Sequence, residues 1–498
     1  MDGSVNENEN ASGGRASIRA YDAIKALAFV GDLSMGQPTD HSLRTAWLAA
    51  QLARADGGGD SGAATAVEAA LLRWSGCTAN ASGFADALGD DVAGREAMLA
   101  QRQGWSKPLE SQGAKSPITS LAQIHCEVSG EVARILRLAS DTEGALRHIF
   151  EAWDGAGIPQ GLAGAAVPRA VFMVSLAGDL EIFSRVHGLP RALALIAGQA
   201  GARYPAELAA LAADHAAQWL DTLASIEPVE LDEVIITPQM RQATSLELVA
   251  DVIDLKLPWM TGYSRAVAHA AAACSARLGG DEASQTCIYS AGLIHGIGRA
   301  AVPNAIWNSP GRLSVAAWEK VRLVPYWASR AGKQTGTLGK AAELASYAYE
   351  RLDGSGYFRG VSGQALSLDA RVVSASVACV ALGQKRPWRE ALSAAEIAQQ
   401  LRTGANEGRF DSEVVEALID THDASPRLTR PRQQAVRLSA REIDVLRSIS
   451  RGASNKDAAR ELDLSPSTVR THIESVFRKL QCSTRAAATL KASSLGLL

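Results

Sequence analysis

The stretch "WDGAGIPQGLAG" (Trp153–Gly164) returns later in the chain as "LDGSGYFRGVSG" (Leu352–Gly363). In both copies an Asp is followed by glycines, which permit the positive φ angles of a tight turn. A loop of this length that occurs twice indicates two copies of a larger structural unit.

The spacing of other matched residues supports this repeat. Two pairs are 222 positions apart and two later pairs are 199 positions apart, so that each half of the alignment keeps a constant offset. These pairs are His41 with Tyr263, Arg73 with His295, His125 with Val324, and Asp154 with Asp353. The change of offset predicts an insertion in the first copy at about residues 78–105, where "GFADALGDDVAGREAML" has no partner.

Helical patterns dominate both copies. Segments such as "HSLRTAWLAAQLARA" from His41 and "SRAVAHAAAACSARLG" from Ser264 show amphipathic helical spacing, and alternating strand patterns are scarce. We therefore predict an all-α protein. The predicted divisions are a disordered N-terminus (1–16), two helical repeats (17–230 and 240–418), a linker (419–435) and a C-terminal module (436–498).

The bulk composition is that of a globular protein without affinity for polyanions. The 498 residues are 47% hydrophobic and 21% charged, and the formal net charge is -3. The N-terminus lacks the apolar segment of a signal peptide, and no apolar run reaches the roughly 20 residues of a membrane span. The six cysteines form no CxxC pair. These features predict a cytoplasmic protein with reduced thiols and no membrane partner.

Both repeats resemble the HD-GYP branch of the HD-domain metal-dependent phosphohydrolases. The second copy carries the clearer resemblance, in "LIHGIGRAAVPNAIWNSPGRLSVAAWEKVRLVPYWASR", "YERLDGSGYFRGVSG" and "KRPWREALS". The resemblance implies two helical HD-like domains, a centre of two or three metal ions, and hydrolysis of cyclic dinucleotides.

Most of the metal-ligand positions that the resemblance implies have changed. In the second copy they are Tyr263, His295–Gly296, Val324, Ala348, Tyr349 and a position near Val377. The first copy keeps His41 and His125, but it has Arg73–Trp74, Ile149–Phe150 and a position near Gly178 elsewhere. Because an arginine at a metal position opposes a cation, we expect no catalytic residue, no metal, no cofactor and no enzyme activity. A residual phosphodiesterase with metals on His41, His125 and His148 is the alternative.

A vacated metal cavity can accept a small molecule, and Arg73 suits a carboxylate or a phosphate. We therefore predict a ligand pocket formed by the retained polar residues of the two copies. For Asp154 and Asp353, a structural role in their turns is the favoured alternative. The candidate pocket residues are His41, Arg73, His125, Asp154, His295, Arg351 and Asp353.

The C-terminal module, from "VRLSAREIDVLRSISRGASNKDAARELDLSPSTVRTHIESVFRKL" to the end, predicts four short helices. Ser439 and Glu442 form a capping box, and Ser465 precedes Pro466 at the start of the third helix. From Val436 onward eleven basic and six acidic side chains leave a local charge of +5. This basic end is the one segment suited to nucleic acid.

This module resembles the LuxR-type helix-turn-helix over its full length. The resemblance implies that the third helix enters the major groove and that the fourth helix mediates dimerisation. The DNA contacts so implied are Ser454, Asn455, Lys456, Thr468, Val469, Arg470, His472 and Lys479. The dimerisation residues so implied are Ala487, Leu490 and Ser494.

Together these features predict a homodimeric transcription regulator that binds a palindromic double-stranded operator. Its helical repeats sense a small-molecule effector or mediate dimerisation; a protein-interaction platform without a small ligand remains a further alternative. The segment before the helices lacks the βα alternation of a phosphoacceptor receiver domain.

Overall fold

The structure is a computed structural model that describes residues 16–110, 117–423 and 436–498. Helices form most of this part of the chain, which confirms the all-α class. The predicted disordered terminus lies outside the described residues apart from Ala16, which is buried. Within the three described ranges, no helix is both long enough and apolar enough to cross a bilayer.

The first repeat begins the helical body. Its helices are α1 (Ala20–Ser34), α2 (His41–Ala55), α3 (Gly59–Leu72), α4 (Ala81–Leu88), α5 (Ala93–Leu99), α6 (Lys107–Glu110), α7 (Ile118–Ile135), α8 (Ser140–Arg147), α9 (Arg169–His187), α10 (Leu189–Ala197), α11 (Ala206–Ser225) and α12 (Pro228–Ile235). Helices α4 and α5 lie in the predicted insertion, so the unmatched sequence folds as a helical addition to the repeat.

The second repeat completes the body. Its helices are α13 (Glu247–Asp254), α14 (Tyr263–Arg277), α15 (Glu282–Ile294), α16 (Asn304–Trp307), α17 (Val315–Arg322), α18 (Val324–Thr335), α19 (Gly339–Ala345), α20 (Leu368–Leu382), α21 (Ala394–Asn406) and α22 (Ser412–Asp423). The predicted linker starts too early, because 419–423 continues α22; residues 424–435 lie outside the described residues.

The repeat is visible in hydrogen bonds that recur at the offsets found in the sequence. Asp32 accepts bonds from the backbone N–H and the hydroxyl of Ser42, at 3.0 and 2.6 Å. Asp254 accepts the same two bonds from Ser264, at 2.8 and 2.7 Å. Each pair fixes the entry to α2 or α14 in the same way, so the two halves share their local architecture.

The two repeats pack as one body around α1. All fifteen residues of α1 are buried, and the helix contacts α2, α3, α13 and α18. Its buried charged side chains, Asp22, Lys25 and Asp32, have polar partners on other elements. Strand β1 (Ser17–Arg19) pairs antiparallel with β2 (Ala243–Ser245), which joins the beginnings of the two repeats. The insertion adds a buried ion pair across the halves, between Asp91 and Lys256 at 2.7 Å.

The C-terminal module consists of α23 (Ala440–Ser450), α24 (Asn455–Glu461), α25 (Pro466–Leu480) and α26 (Arg485–Ser494). The capping box predicted at the start of α23 is present, with Glu442 and Ser439 each accepting the other's backbone N–H. The last helix is capped by Thr484, whose hydroxyl accepts the backbone N–H of Ala487. Apolar side chains from all four helices form a separate small core.

Candidate functional site

Arg73 lies at the centre of the first repeat, at the carboxyl end of α3. Its guanidinium is 4% exposed and donates to the Thr45 hydroxyl at 3.3 Å, to the Val174 carbonyl at 3.5 Å and to Nε2 of His41. The guanidinium carbon lies 4.4 Å from the ring centre of Trp74. A cation thus occupies the position where the family resemblance implies a metal ligand.

The two histidines retained in the first repeat are neutral and fully engaged. Nδ1 of His41 donates to Glu181 at 2.6 Å, and Nε2 of His125 donates to the Arg73 carbonyl at 2.6 Å. Nδ1 of His125 lies 3.6 Å from Sγ of Cys77. Burial lowers the pKa of His41 to about 4, helped by the charge of Arg73, and burial lowers that of His125 to about 3. Neither ring has a free nitrogen to offer a ligand.

A glycine makes room for the guanidinium of Arg73. Gly178 on α9 faces it so closely that an added Cβ would collide with Nη1. The sequence had placed a lost metal-ligand Asp near this position. Arginine and glycine are therefore sterically matched at this centre.

The second repeat contains a similar pairing built from different positions. Nη2 of Arg299 bonds Nε2 of His295 at 2.6 Å, and Nη1 donates to Asp254 at 3.2 Å. Nδ1 of His295 donates to the Gly292 carbonyl at 2.6 Å. A Cβ at Gly296 would lie 2.5 Å from Nη1 of Arg299, so the missing side chain again leaves space for an arginine. Sequence reasoning missed Arg299, although its spacing of four residues from His295 was a usable signal.

A cavity of about 650 Å³ lies beside Arg73. Of the predicted pocket residues, Arg73 and His125 line it, together with Arg95 from the insertion. The prediction is wrong for His41, which is enclosed behind Arg73 and does not line the cavity. It is also wrong for Asp154, whose carboxylate accepts the backbone N–H of Ala156 at 2.9 Å and stabilises its turn.

A second cavity, of about 510 Å³, lies in the second repeat and is lined largely by aromatic side chains. Arg351 and Arg299 line it, whereas His295 and Asp353 do not. The prediction is therefore wrong for His295 and Asp353 as pocket residues. Asp353 accepts the backbone N–H of Ser355 at 2.9 Å and has the turn role found in the first repeat.

Most of the predicted DNA contacts are accessible, but Val469 is not. Val469 is 0% exposed in the core of the C-terminal module, so its assignment as a DNA contact is wrong. The Nζ atom of Lys479 is held by Glu442 at 2.7 Å, which engages the group expected to bind phosphate. Thr471 and Glu474 are also exposed beside Arg470, and Glu474 accepts a hydrogen bond from Arg470 at 2.9 Å. The other predicted contacts, which are exposed or half-buried, are Ser454, Asn455, Lys456, Thr468, Arg470 and His472.

The face of α26 expected to mediate dimerisation is covered by the helical body. Ala487 and Leu490 are buried in the core of the body, and α26 contacts α7 and α13. Ser494 is exposed at the end of the helix. Dimerisation through α26 stays a prediction; in this arrangement two of its three residues are occupied by the protein's own body.

Polar contacts fix the C-terminal module against α7. Glu127 accepts the backbone N–H of Ser483 and, at 3.1 Å, its hydroxyl. Gln123 donates to the same hydroxyl at 3.0 Å, and Thr261 donates to the Ser450 carbonyl at 2.8 Å. Beside these contacts a cleft of about 660 Å³ separates α25 from the body, with Arg470 on one wall.

The comparisons with known proteins identify two parts of the chain. Residues 247–414 match the HD domain, and residues 436–492 match the bacterial regulatory proteins of the luxR family. The chain joins an HD domain to a luxR-type DNA-binding domain. Over that second domain it is 45% identical along 53 residues to the nitrate/nitrite response regulator protein NarP of Escherichia coli, which is 11% of this chain and 25% of the relative.

The helical body is similar to phosphodiesterases. The 3'3'-cGAMP-specific phosphodiesterase 3 of Vibrio cholerae is 23% identical over 394 residues, which are 72% of this chain and 85% of the relative. The crystal structure of a cyclic GMP-AMP-specific phosphodiesterase of V. cholerae matches with a TM-score of 0.59 at 21% identity, over 82% of this chain and 99% of that chain. This structural match shows the fold of the body.

These relatives correct one prediction. The inference from changed ligand positions that the chain is not an enzyme is wrong, because the protein that aligns with 72% of it is a phosphodiesterase. A second one, the 3'3'-cGAMP-specific phosphodiesterase 1, is 30% identical over 172 residues, which are 34% of this chain and 40% of the relative. The body has the ancestry of an enzyme, and individual ligand positions were too narrow a basis for excluding catalysis.

The metal centre implied by the HD-GYP resemblance does not fit the side chains present. His41, His125 and His295 each have both ring nitrogens occupied, and a guanidinium lies at each centre. Across the described ranges, no group of three or more His, Cys, Asp or Glu side chains could hold a metal ion. His148, the third metal ligand in the alternative of a residual phosphodiesterase, is half-buried and does not line the cavity.

Proposed function

We propose that this protein is a transcription regulator whose helical body holds the DNA-binding domain closed and releases it in response to a small ligand. The observation that carries the proposal is the position of α26, whose dimerisation face is buried against α7 and α13. Release would free this face for a second copy, and the dimer would bind a palindromic operator in the bacterial cytoplasm.

The position of α25, the helix predicted to enter the major groove, also supports a closed state. Arg470 and Glu474 face a cleft of about 660 Å³ whose opposite wall includes Gln123. A recognition helix reads DNA from within a major groove roughly 12 Å wide, with the phosphate backbones on either side of it. Because the body lies directly across this cleft from α25, we expect the domain to move before Arg470 can contact bases from within the groove.

Helix α7 connects the ligand cavity to the DNA-binding domain. Ala122 and His125 line the cavity beside Arg73, while Gln123 and Glu127 on the opposite face hold Ser483. A ligand that shifts or rotates α7 changes both faces together, because a packed helix moves as a unit. Differential affinity for the two positions of α7 would then move the closed–open equilibrium.

The test locks the closed state with a reducible cross-link. Gln123→Cys combined with Ser483→Cys places two thiols on the residues whose Nε2 and Oγ atoms are 3.0 Å apart, and a short bifunctional methanethiosulfonate joins them without the close Cβ–Cβ distance that a direct disulfide needs. We expect the cross-linked protein to lose binding to a duplex enriched from a random pool, and a reductant to restore it. Ser483→Cys alone is the control, since Cys482 is adjacent. Full DNA binding by the locked protein would show that the closed arrangement does not control DNA access.

Phosphodiesterase activity is the second candidate, favoured by the alignment of 72% of the chain with a 3'3'-cGAMP-specific phosphodiesterase. A metal-dependent reaction would require the arginine–histidine contacts at the two centres to open. Hydrolysis of 3'3'-cGAMP by the purified protein, measured with and without added Mn²⁺, tests this candidate. Metal-dependent turnover that Arg73→Ala or Arg299→Ala changes would assign it to one of the two repeats.

A further inference from the structure

Two buried cations border the first cavity without a carboxylate partner. Arg95, which is 1% exposed, donates to the carbonyls of Ser34 and Cys77 and to the side-chain oxygen of Asn80. The acceptors around Arg73 are likewise uncharged. Among the described residues, neither guanidinium forms an ion pair with a carboxylate within 4.0 Å. Buried charges are normally paired, so this cavity carries unbalanced positive charge.

The acidic groups nearest to Arg73 do not balance it. Asp179 pairs with Arg203 at 3.1 Å, and Glu181 is shared by His41 and two arginines. Burial raises the pKa of Asp32 to about 8, although bonds from Ser42 oppose this, so its carboxyl is mostly protonated at neutral pH. The guanidinium therefore faces groups whose charge is absent or already engaged.

Two N–H groups at the cavity have no acceptor. Nε of Arg73 and Nε1 of Trp74 are buried and have no hydrogen-bond partner in the described structure. Both residues line the cavity, and they are stacked with the guanidinium carbon 4.4 Å from the indole ring centre. Two neighbouring donors on a cationic surface match the two oxygens of a carboxylate or a phosphate.

Much of the remaining wall is apolar, and the part supplied by the insertion has no counterpart in the second repeat. The other charged residues of the lining are engaged: Glu151 accepts the backbone N–H groups of Gln160 and Leu162 at 2.8 and 2.9 Å, and Asp179 pairs with Arg203 at 3.1 Å. Phe84 and Met98 come from the insertion, Ile118 from α7, and Phe150 from the loop after α8. Its volume of about 650 Å³ lies within the range of ordinary small-molecule sites. The second repeat has no counterpart of the insertion, so its cavity has a different wall.

We propose that this cavity binds an organic acid, with its anionic group held by Arg73 and Trp74 and its apolar body against the insertion. The identification of this ligand as the effector rests on the proposed function. Binding itself is measured on the full-length protein without DNA, so the two ideas can fail separately.

Three probes with one phenyl body test the charge requirement. Phenylacetate carries a carboxylate, phenyl phosphate carries a phosphate, and 2-phenylacetamide is a neutral match for the first. By calorimetric titration we expect an anion to bind at millimolar or lower concentration and the amide to fail. The stronger of the two anions identifies the head group. Binding of neither anion, or equal binding of the amide, would overturn the proposal.

Variants assign the binding to this cavity. Arg73→Met should abolish anion binding because it removes the guanidinium. It also leaves Nε2 of His41 and the Thr45 hydroxyl without their donor, so its melting temperature is measured beside that of Trp74→Phe. Trp74→Phe, which removes the N–H, should weaken binding about tenfold, as for loss of one hydrogen bond to a charged group. Trp219→Phe on α11, outside the cavity, is the matched control. Unchanged binding in both cavity variants would exclude the site; anion binding without any effect on DNA affinity would refute only the effector role.

Discussion

Glu127 is the point at which the closed arrangement can be weakened without altering the DNA-binding domain. Its carboxylate accepts two hydrogen bonds from Ser483, and it lies on α7, outside the helices expected to contact DNA or a second copy. The change Glu127→Ala removes both bonds and leaves Ala487 and Leu490 unaltered. Any effect on DNA binding beyond that of the lost charge must then come from the equilibrium between closed and open states.

The expected size of the effect follows from the chemistry of the contact. A hydrogen bond to a charged group contributes roughly 1.5–3 kcal/mol when it is protected, and less where solvent competes. Glu127 is half-buried, so a loss of about 1.5 kcal/mol for the pair is a reasonable value. This corresponds to a shift of about tenfold toward the open state. If the closed state dominates, the apparent Kd for DNA should fall by about the same factor.

The assay is fluorescence anisotropy with a labelled duplex that the protein enriches from a random pool, at fixed salt. Removing a carboxylate also raises the affinity for any polyanion, so a charge-matched control is needed. Glu143→Ala serves this purpose, because Glu143 is on α8 and pairs with Arg147 across one helical turn, away from Ser483. Tighter DNA binding by Glu127→Ala than by Glu143→Ala supports a closed state. Equal affinity of the two variants would refute the reasoning.

Two further predictions concern the recognition helix and the buried imidazoles. Arg470→Ala should weaken DNA binding by about 1–3 kcal/mol in the same anisotropy assay. Val469→Ala should lower the free energy of unfolding of the C-terminal module by about 2 kcal/mol in thermal unfolding and leave the base preference unchanged. Burial lowers the pKa of His125 to about 3. As the pH falls below the ordinary value of 6.5, this imidazole therefore becomes protonated in the unfolded chain but stays neutral in the folded protein, which favours unfolding. The stability advantage of the wild type over His125→Gln should therefore shrink by about 2 kcal/mol between pH 7.5 and pH 5 in urea unfolding; an advantage independent of pH would show that the imidazole is protonated in the fold.

The repeat could be predicted from the sequence because homologous backbones keep constant offsets. The offset of 222 positions relates Asp32 and Ser42 to Asp254 and Ser264, which form matching hydrogen bonds in the structure. The break in offset placed the insertion at about residues 78–105, a segment that contains α4 and α5. Caps and apolar spacing gave the four C-terminal helices, because those signals act within a few residues of the chain.

The contacts of individual side chains were harder to predict from the sequence. Val469 was assigned to DNA, but helical periodicity places it on the same buried face as Ile473, Val476 and Leu480. His41 and His295 were expected to face a pocket, but each is bound to an arginine. The relevant arginine is 32 residues away in one case and four in the other. Because His41 aligns with Tyr263 and Arg73 with His295, the alignment of the two repeats did not reveal these similar contacts.

The insertion connects these observations physically. It contributes Arg95 and apolar side chains to the wall of the first cavity. Its Asp91 forms the buried ion pair with Lys256 of the second repeat. Lys256 also accepts, through its carbonyl, a bond from Asn304 at 3.1 Å, and the neighbouring Pro258 contacts the cleft beside α25. A ligand that moves the insertion therefore acts on two supports of the DNA-binding domain, α7 and the segment before α14. Because the second repeat has no such insertion, we expect control of the DNA-binding domain to originate in the first repeat. The second repeat would then be the fixed part of the body, relative to which the insertion and α7 move.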